Sequence, residues 1–99
     1  MKTFEVTQEM KDKIYPFHED AGHGWLEVPV KYLWDLGIRD KITGFSYRSE
    51  DYDTAYLEED LDAGTFLDTV YGKDYKEQHR HLERVDDGDY SFIRGLPSM

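Results

Sequence analysis

Two segments of the chain carry apolar residues at helical spacing, and a glycine follows each of them. Residues 30–36 are followed by Gly37, and a longer segment that runs to about Tyr71 is followed by Gly72. Glycine is common where the left-handed backbone closes a helix. The pattern therefore predicts a two-turn helix and a longer amphipathic helix.

Capping residues mark the starts of the predicted helices. Asp60 or Asp62 can cap the longer helix, because a carboxylate accepts hydrogen bonds from the free N–H groups of the first turn. Thr7 can cap a further short helix. This helix is expected to end at Ile14, because Pro16 disfavours a helical backbone at Tyr15.

Strand-like runs rich in β-branched and aromatic residues alternate with these helices. Residues 25–28 form one run, and residues 41–48 and 54–58 bracket the polar turn SEDYD, a pattern typical of an antiparallel hairpin. Two more short runs, between about 79 and 93, surround a turn at 86–89. The sequence predicts an α+β fold: a small antiparallel sheet of three to five strands with two short helices packed on one face.

Length and composition narrow the class of protein. With 99 residues and no cysteine, residues 1–99 are expected to form a single domain without disulfides or thiolate metal sites. No apolar run approaches the roughly 18 residues that cross a bilayer, so we expect a cytoplasmic protein without membrane contact. Five Phe, eight Tyr and two Trp predict an aromatic core. The same aromatic excess is the basis for one hypothesis, a homodimeric structural module.

The net charge of −10 is concentrated in one quarter of the chain. Residues 1–48 carry eight acids and seven bases, and residues 73–99 carry six acids and five bases. Residues 49–72 carry eight acids and no base, with aromatic and aliphatic residues between the acids. This composition predicts a folded acidic surface, and it argues against direct binding of nucleic acid, which requires clustered Lys and Arg.

The acidic surface has two interpretations. The ordinary one is a solvated face that keeps a small protein soluble. The alternative is that its carboxylates imitate spaced phosphates and occupy the basic groove of a nucleic-acid-binding protein, with an exposed tyrosine as an anchor. The predicted partner-binding residues are Glu50, Asp51, Tyr52, Asp53, Tyr56, Glu58, Glu59, Asp60 and Asp62.

A second group of chemically active residues lies in the segment PFHEDAGHG, which is predicted to be a loop. His18, Asp20 and His23 are residue types found in catalytic zinc sites, and a histidine can also transfer protons. The spacing of the two histidines differs from the HExxH pattern, and hydrogen bonding to the loop backbone is the structural alternative. The second functional hypothesis is therefore a small metal-dependent or acid–base enzyme that uses this loop.

No other catalytic motif supports an enzyme. The chain has neither a phosphate-binding glycine loop nor a nucleophile motif of the GxSxG type. We therefore expect a protein that is not an enzyme and that needs no cofactor.

Residues 18–67 resemble a family of small uncharacterised acidic proteins of bacteria, phages and plasmids. Two blocks carry the resemblance, GHGWLEV and YLEEDLDAGTF. Leu61 stands in this chain where cysteine is common in the family. The resemblance implies no particular activity, and the family that it points to occurs in bacteria and in their phages and plasmids. The positions that match the family pattern are His18, Asp20, His23, Gly24, Trp25, Leu26, 56–60 and Asp62.

Size, segregated charge and this resemblance together favour a non-enzymatic protein-interaction module. The leading hypothesis is a phage or mobile-element inhibitor of the anti-CRISPR or anti-restriction type. Its acidic, DNA-mimicking face would block a basic host protein, such as a nuclease, a restriction or CRISPR component, or a transcription factor.

Overall fold

The computed structural model describes residues 4–99, so the first three residues of the predicted domain lie outside it. This range folds as a five-stranded sheet with short helices, which confirms the predicted α+β class and strand number. The strands are β1 (Tyr15–Glu19), β2 (Gly24–Pro29), β3 (Tyr47–Arg48), β4 (Thr54–Glu58) and β5 (Leu82–Asp86). The α-helices are α1 (Gln8–Asp12), α2 (Val30–Asp35), α3 (Asp62–Tyr71) and α4 (Tyr75–Arg80), and single 3-10 turns lie at Arg39–Lys41 and Phe92–Gly95.

The sheet is mixed, with the strand order β3-β4-β2-β1-β5. Three neighbouring pairs are antiparallel, but β1 and β5 are parallel, with Tyr15 opposite Leu82. The prediction of a wholly antiparallel sheet is therefore wrong in this pair. The reason is the connection through α3 and α4, which carries the chain from β4 to the far edge of the sheet. A helical crossover of this kind returns the next strand in the same direction.

The predicted helix ends at glycine are confirmed. Gly37 follows α2 with a φ of +70°, and Gly72 follows α3 with a φ of +67°. Thr7 caps α1, because its hydroxyl accepts a hydrogen bond from the N–H of Met10 at 3.2 Å. None of the helices in residues 4–99 is long and apolar enough to span a bilayer.

Two features of the helices differ from the prediction. The N-cap of α3 is Leu61, and no side chain caps this helix, so capping by Asp60 or Asp62 is wrong. The helix α4 was not predicted, and more than two helices are present in the described range. Its cap is Asp74, whose carboxylate accepts hydrogen bonds from the second and third residues of the helix.

The strands also differ from the prediction at three places. Residues 41–46 form turns, so the first strand of the predicted hairpin shortens to β3. The chain after the turn at 86–89 forms the second 3-10 turn instead of a strand. The predicted loop around His18 is partly the strand β1, which is held by pairing with β2 on one side and with β5 on the other. Long-range pairing of this kind overrides local composition.

One face of the sheet packs on the helices and forms the main hydrophobic core. Leu26 of β2 and Leu57 of β4 are fully buried there with Phe66 of α3. The ring of Tyr15 meets the ring of Phe66 edge-on at 5.2 Å. The Tyr15 hydroxyl donates to the carbonyl of Met10 at 2.6 Å, which ties α1 to β1. Aromatic rings thus lie within the main core, but most of its buried residues are aliphatic. Several aromatic side chains, such as Trp34 and Tyr90, are exposed, so the prediction of an aromatic core holds only in part.

The other face of the sheet is covered by the chain that follows β5. Trp25 and Ile93 are buried at the centre of a second, smaller core cluster on this face. The backbone N–H of Met99 donates to the carbonyl of Ser46 at 2.9 Å. Residues 87–99, the C-terminal segment, therefore form a third layer that local sequence patterns did not predict.

Candidate functional site

Three exposed acids occupy the turn between β3 and β4, and we call Glu50, Asp51 and Asp53 the turn cluster. Asp51 orders this turn, because its Oδ1 accepts hydrogen bonds from the Ser49 hydroxyl at 2.6 Å and from the N–H of Asp53 at 3.0 Å. These bonds, the one from Ser49 first, lower the pKa of Asp51. The turn cluster therefore presents its carboxylates on an ordered backbone.

Tyr52 lies within the turn, and half of its surface is exposed. Its φ of +65° is in the left-handed region, which costs a non-glycine residue about 1–2 kcal/mol. The guanidinium of Arg48 lies 3.7 Å from the centre of the Tyr52 ring, and this cation–π contact holds the ring in place. Tyr52 is therefore an ordered, accessible aromatic side chain beside the turn cluster, which is what an anchor requires.

Three further acids lie at the end of β4, where Glu58 is the last residue of the strand and Glu59 and Asp60 follow it. We call Glu58, Glu59 and Asp60 the strand-end cluster. The Oε1 of Glu58 accepts a hydrogen bond from the N–H of Asp60 at 3.0 Å. Successive side chains along a strand point to opposite faces of the sheet. Glu58 therefore lies on the same face of the sheet as Trp25, and Glu59 lies on the same face as Phe17. Burial raises the pKa of Glu59, and the nearby charge of Asp60 adds to this effect.

The strand β4 separates the two clusters. It has five residues, which span about 17 Å at roughly 3.3 Å per residue. Its inner side chains Ala55 and Leu57 are fully buried, so acids can be exposed only at the strand ends. The single acidic surface predicted from the sequence is therefore two clusters at opposite ends of one strand.

Two of the predicted partner-binding residues are buried, so placing them on the surface was wrong. Asp62 has no exposed area, and its Oδ2 accepts hydrogen bonds from the N–H of Thr43 at 3.0 Å and from the Thr43 hydroxyl at 2.7 Å. The hydroxyl of Ser46 donates to the same oxygen. Tyr56 is 9% exposed, and its ring meets the His18 ring edge-on at 5.8 Å. Both side chains support the fold beneath the acidic clusters.

No Lys or Arg of residues 4–99 forms an ion pair with any of the six acids of the two clusters. Several acids elsewhere are neutralised in pairs, so the unpaired charge of the two clusters dominates the field around β4. These pairs are Glu19–Arg84, Asp20–Arg94, Asp35–Lys31, Asp68–Lys73 and Glu77–Arg80.

His18 is buried beneath the C-terminal segment. Its Nδ1 lies 3.0 Å from Oδ2 of Asp87, and its Nε2 lies 2.9 Å from Oε1 of Glu27. The Ser91 hydroxyl donates to the same oxygen of Asp87 at 2.7 Å. The imidazole therefore joins β1 and β2 to the C-terminal segment, which is a structural role.

Asp20 makes a second attachment of the C-terminal segment. Its carboxylate accepts hydrogen bonds from Nε of Arg94 at 2.6 Å and from Nη2 at 2.9 Å, and from the N–H of Ser91 at 2.9 Å. The Arg94 guanidinium holds the pKa of Asp20 well below its usual range. His23 is exposed, with its ring beside Trp25.

The three residues of the metal or acid–base hypothesis are thus engaged in different contacts. His18 binds Asp87 of the C-terminal segment, and Asp20 binds Arg94 of the same segment. The ring of His23 lies beside Trp25 instead. Across residues 4–99, no group of three His, Asp or Glu side chains is arranged to hold a metal ion. A structural role fits this geometry better, but hydrogen bonding to the loop backbone is seen only for Asp20, which accepts from the N–H groups of Gly22 and His23.

The Asp20–Arg94 pair predicts acid sensitivity. A carboxyl whose pKa is lowered by folding stabilises the protein above its unfolded pKa of about 3.9, and this contribution is lost as the pH falls toward the native pKa. We expect the urea midpoint of the wild type to exceed that of Asp20→Asn by a constant amount between about pH 7 and pH 5. The difference should narrow below about pH 4. Urea unfolding followed by circular dichroism measures both midpoints, and a difference that stays constant down to pH 2 would contradict the pairing.

A groove with aromatic walls adjoins the strand-end cluster, and sequence reasoning missed it. It has a volume of about 390 Å³. Phe45, which is 74% exposed, and Leu61, which is 52% exposed, form part of its lining together with Trp25 and Tyr47. The available signal was Leu61, an apolar residue between two acids. We call this the acid–aromatic groove, lined by His23, Trp25, Phe45, Tyr47, Glu58, Asp60, Leu61 and Arg94.

Comparison with known proteins adds no assignment to this geometry. The chain matches no protein-family model, no curated protein and no solved structure.

Proposed function

We propose that the protein is a non-enzymatic interaction protein whose turn cluster and strand-end cluster bind and block a basic, nucleic-acid-binding partner. One observation carries the proposal: the six carboxylates at the two ends of β4, five of them exposed and that of Glu58 half-buried, have no Lys or Arg partner within residues 4–99. Unpaired charge of one sign on an ordered backbone attracts a surface of the opposite sign and accelerates encounter with it.

The spacing of the clusters supports imitation of a nucleic acid. A β-strand rises about 3.3 Å per residue, close to the roughly 3.4 Å of helix axis per charge on one strand of DNA. The five residues of β4 therefore separate the two clusters by about the axial rise of five DNA steps. A groove whose Lys and Arg side chains lie along the duplex axis can meet both clusters together.

Order in the acidic turn also supports the proposal. Asp51 is bonded to its own turn, and Tyr52 is held by Arg48, so little conformational freedom is lost when a partner binds. A solvated face that serves only solubility needs no such order. The two acidic clusters are thus arranged as a preformed binding surface.

The class of partner follows from the charge and from the family resemblance. A net charge of −10 opposes direct binding to phosphate, so the ligand is a basic protein. The resemblance to proteins of phages and mobile elements favours a cytoplasmic host-defence protein, such as a restriction or CRISPR nuclease. A transcription factor presents the same kind of basic, nucleic-acid-binding surface, so the same experiment would detect it as a partner.

Salt-dependent capture tests the proposal. The immobilised protein is exposed to the heparin-retained fraction of a bacterial lysate, and bound proteins are identified by mass spectrometry. We expect retention of basic nucleic-acid-binding proteins that elute as salt rises from about 50 to 500 mM, because exposed charges are screened over this range. The control is a variant with Glu50→Gln, Asp51→Asn, Glu58→Gln and Asp60→Asn. Equal capture by the control, or retention that salt does not change, would rule out the proposed function.

A further inference from the structure

We propose that the acid–aromatic groove binds a single arginine side chain of the partner. This inference rests on the proposed function and specifies the chemistry of one contact within it. The groove adjoins the strand-end cluster and combines aromatic rings with two carboxylates, which is the pair of features that a guanidinium recognises.

The size and lining of the groove fit one side chain. Its volume of about 390 Å³ lies near the lower end of the roughly 300–1,000 Å³ found for ligand pockets. Trp25 and Tyr47 meet edge-on at 6.2 Å and form a fixed aromatic wall. The protein's own Arg94 places its guanidinium carbon 5.2 Å from the centre of the Trp25 ring. The Trp25 ring is 2% exposed and already contacts this guanidinium, so the aromatic surface that a ligand can reach is that of Phe45 and the half-buried Tyr47.

Phe45 is held in its exposed position by the buried carboxylate of Asp62. Asp62 binds the backbone and hydroxyl of Thr43 and the hydroxyl of Ser46, so both sides of Phe45 are fixed. The N–H of Phe45 also donates to the Thr43 hydroxyl at 3.2 Å. A large apolar ring that is 74% exposed on a fixed turn is organised for contact before a ligand arrives.

The charge of the groove is negative. Glu58 and Asp60 form no ion pair with any Lys or Arg of residues 4–99. Arg94 also lines the groove, but Asp20 neutralises it through the two hydrogen bonds at 2.6 and 2.9 Å. A cationic ligand therefore meets two carboxylates that have no Lys or Arg partner within residues 4–99.

Arginine fits this arrangement better than lysine. The guanidinium is planar, so it can stack on a ring while its edge donates two hydrogen bonds to a carboxylate. Lysine offers a compact, strongly hydrated charge that gains less from aromatic walls. The groove is thus expected to discriminate between the two cations.

Titration with N-acetyl-arginine amide, followed by 1H–15N NMR, tests the inference. We expect millimolar binding with shifts centred on the N–H groups of Phe45, Tyr47 and Leu61, and weaker binding of N-acetyl-lysine amide. The variant with Glu58→Gln and Asp60→Asn should bind arginine amide about fivefold more weakly, as expected for two exposed charge contacts. The matched control with Glu50→Gln and Asp51→Asn should bind within about twofold of the wild type.

Three results would overturn the inference: equal affinity for the two amides, equal weakening by the two variants, or shifts confined to the turn cluster. None of these depends on finding a natural partner. If arginine amide binds as expected while salt-dependent capture finds no basic protein, the groove inference holds and the proposed function fails. If a basic partner is captured but arginine amide does not bind the groove, the inference alone fails.

Discussion

Replacement of Asp62 by alanine is expected to lower the free energy of unfolding by about 3 kcal/mol. The substitution removes the acceptor for three buried or partly buried donors, namely the N–H and hydroxyl of Thr43 and the hydroxyl of Ser46. It also removes a negative charge from the first residue of α3, where the helix dipole favours one. Ser46 accepts a bond from the N–H of Glu58, so the loss extends to the end of β4.

Urea unfolding measures the effect of Asp62→Ala, and the chain offers a matched control two residues away. Asp60 is exposed, and Asp60→Ala removes the same charge with an expected change within about 0.5 kcal/mol. Asp62→Asn keeps one acceptor oxygen and should fall between the two. Equal midpoints for Asp62→Ala and Asp60→Ala would show that the buried carboxylate does not support the fold in this way.

Reversal of two charges in the strand-end cluster is expected to weaken binding to a captured basic partner by about 100-fold or more, because like charges brought together at an interface cost several kcal/mol. The variant is Glu58→Lys with Asp60→Lys. Both side chains are at least partly exposed, so the fold should persist, and circular dichroism checks this. Binding is measured by surface plasmon resonance at low and high salt.

The control for this variant changes the net charge by the same amount elsewhere. Glu83 and Asp89 are exposed and lie outside both acidic clusters. The variant with Glu83→Lys and Asp89→Lys should weaken binding by less than about tenfold, through the overall charge alone. If the two double variants weaken binding equally, the net charge and not the position of the acids determines affinity.

The sequence predicts those parts of the fold that local patterns determine. Apolar spacing followed by Gly37 or Gly72 identified α2 and α3, because helix periodicity and left-handed glycine are encoded within a few residues. The strands β2 and β4 were predicted for the same reason. The parallel pairing of β1 with β5 and the layer formed by residues 87–99 were not predicted, since both depend on contacts between distant parts of the chain.

The candidate site was predicted in composition but not in arrangement. Five acids of the turn cluster and the strand-end cluster are exposed in the structure and Glu58 is half-buried, whereas Asp62 and Tyr56 are buried. The positions of acids in the sequence do not distinguish an exposed acid from a buried one, because the exposure of an acid depends on which distant residues pack against it in the fold. Asp62 is next to exposed Leu61 in sequence, but Thr43 and Ser46 approach it from another segment.

Displacement of DNA from the partner tests the central claim most directly. A captured basic protein is bound to a short fluorescent DNA duplex, and the wild type or the Glu58→Lys, Asp60→Lys variant is added while fluorescence anisotropy is followed. If the acidic clusters occupy the nucleic-acid groove, the wild type releases the duplex stoichiometrically and the variant leaves it bound. Retention of the DNA in a complex with the wild type, or equal release by both proteins, would contradict the claim.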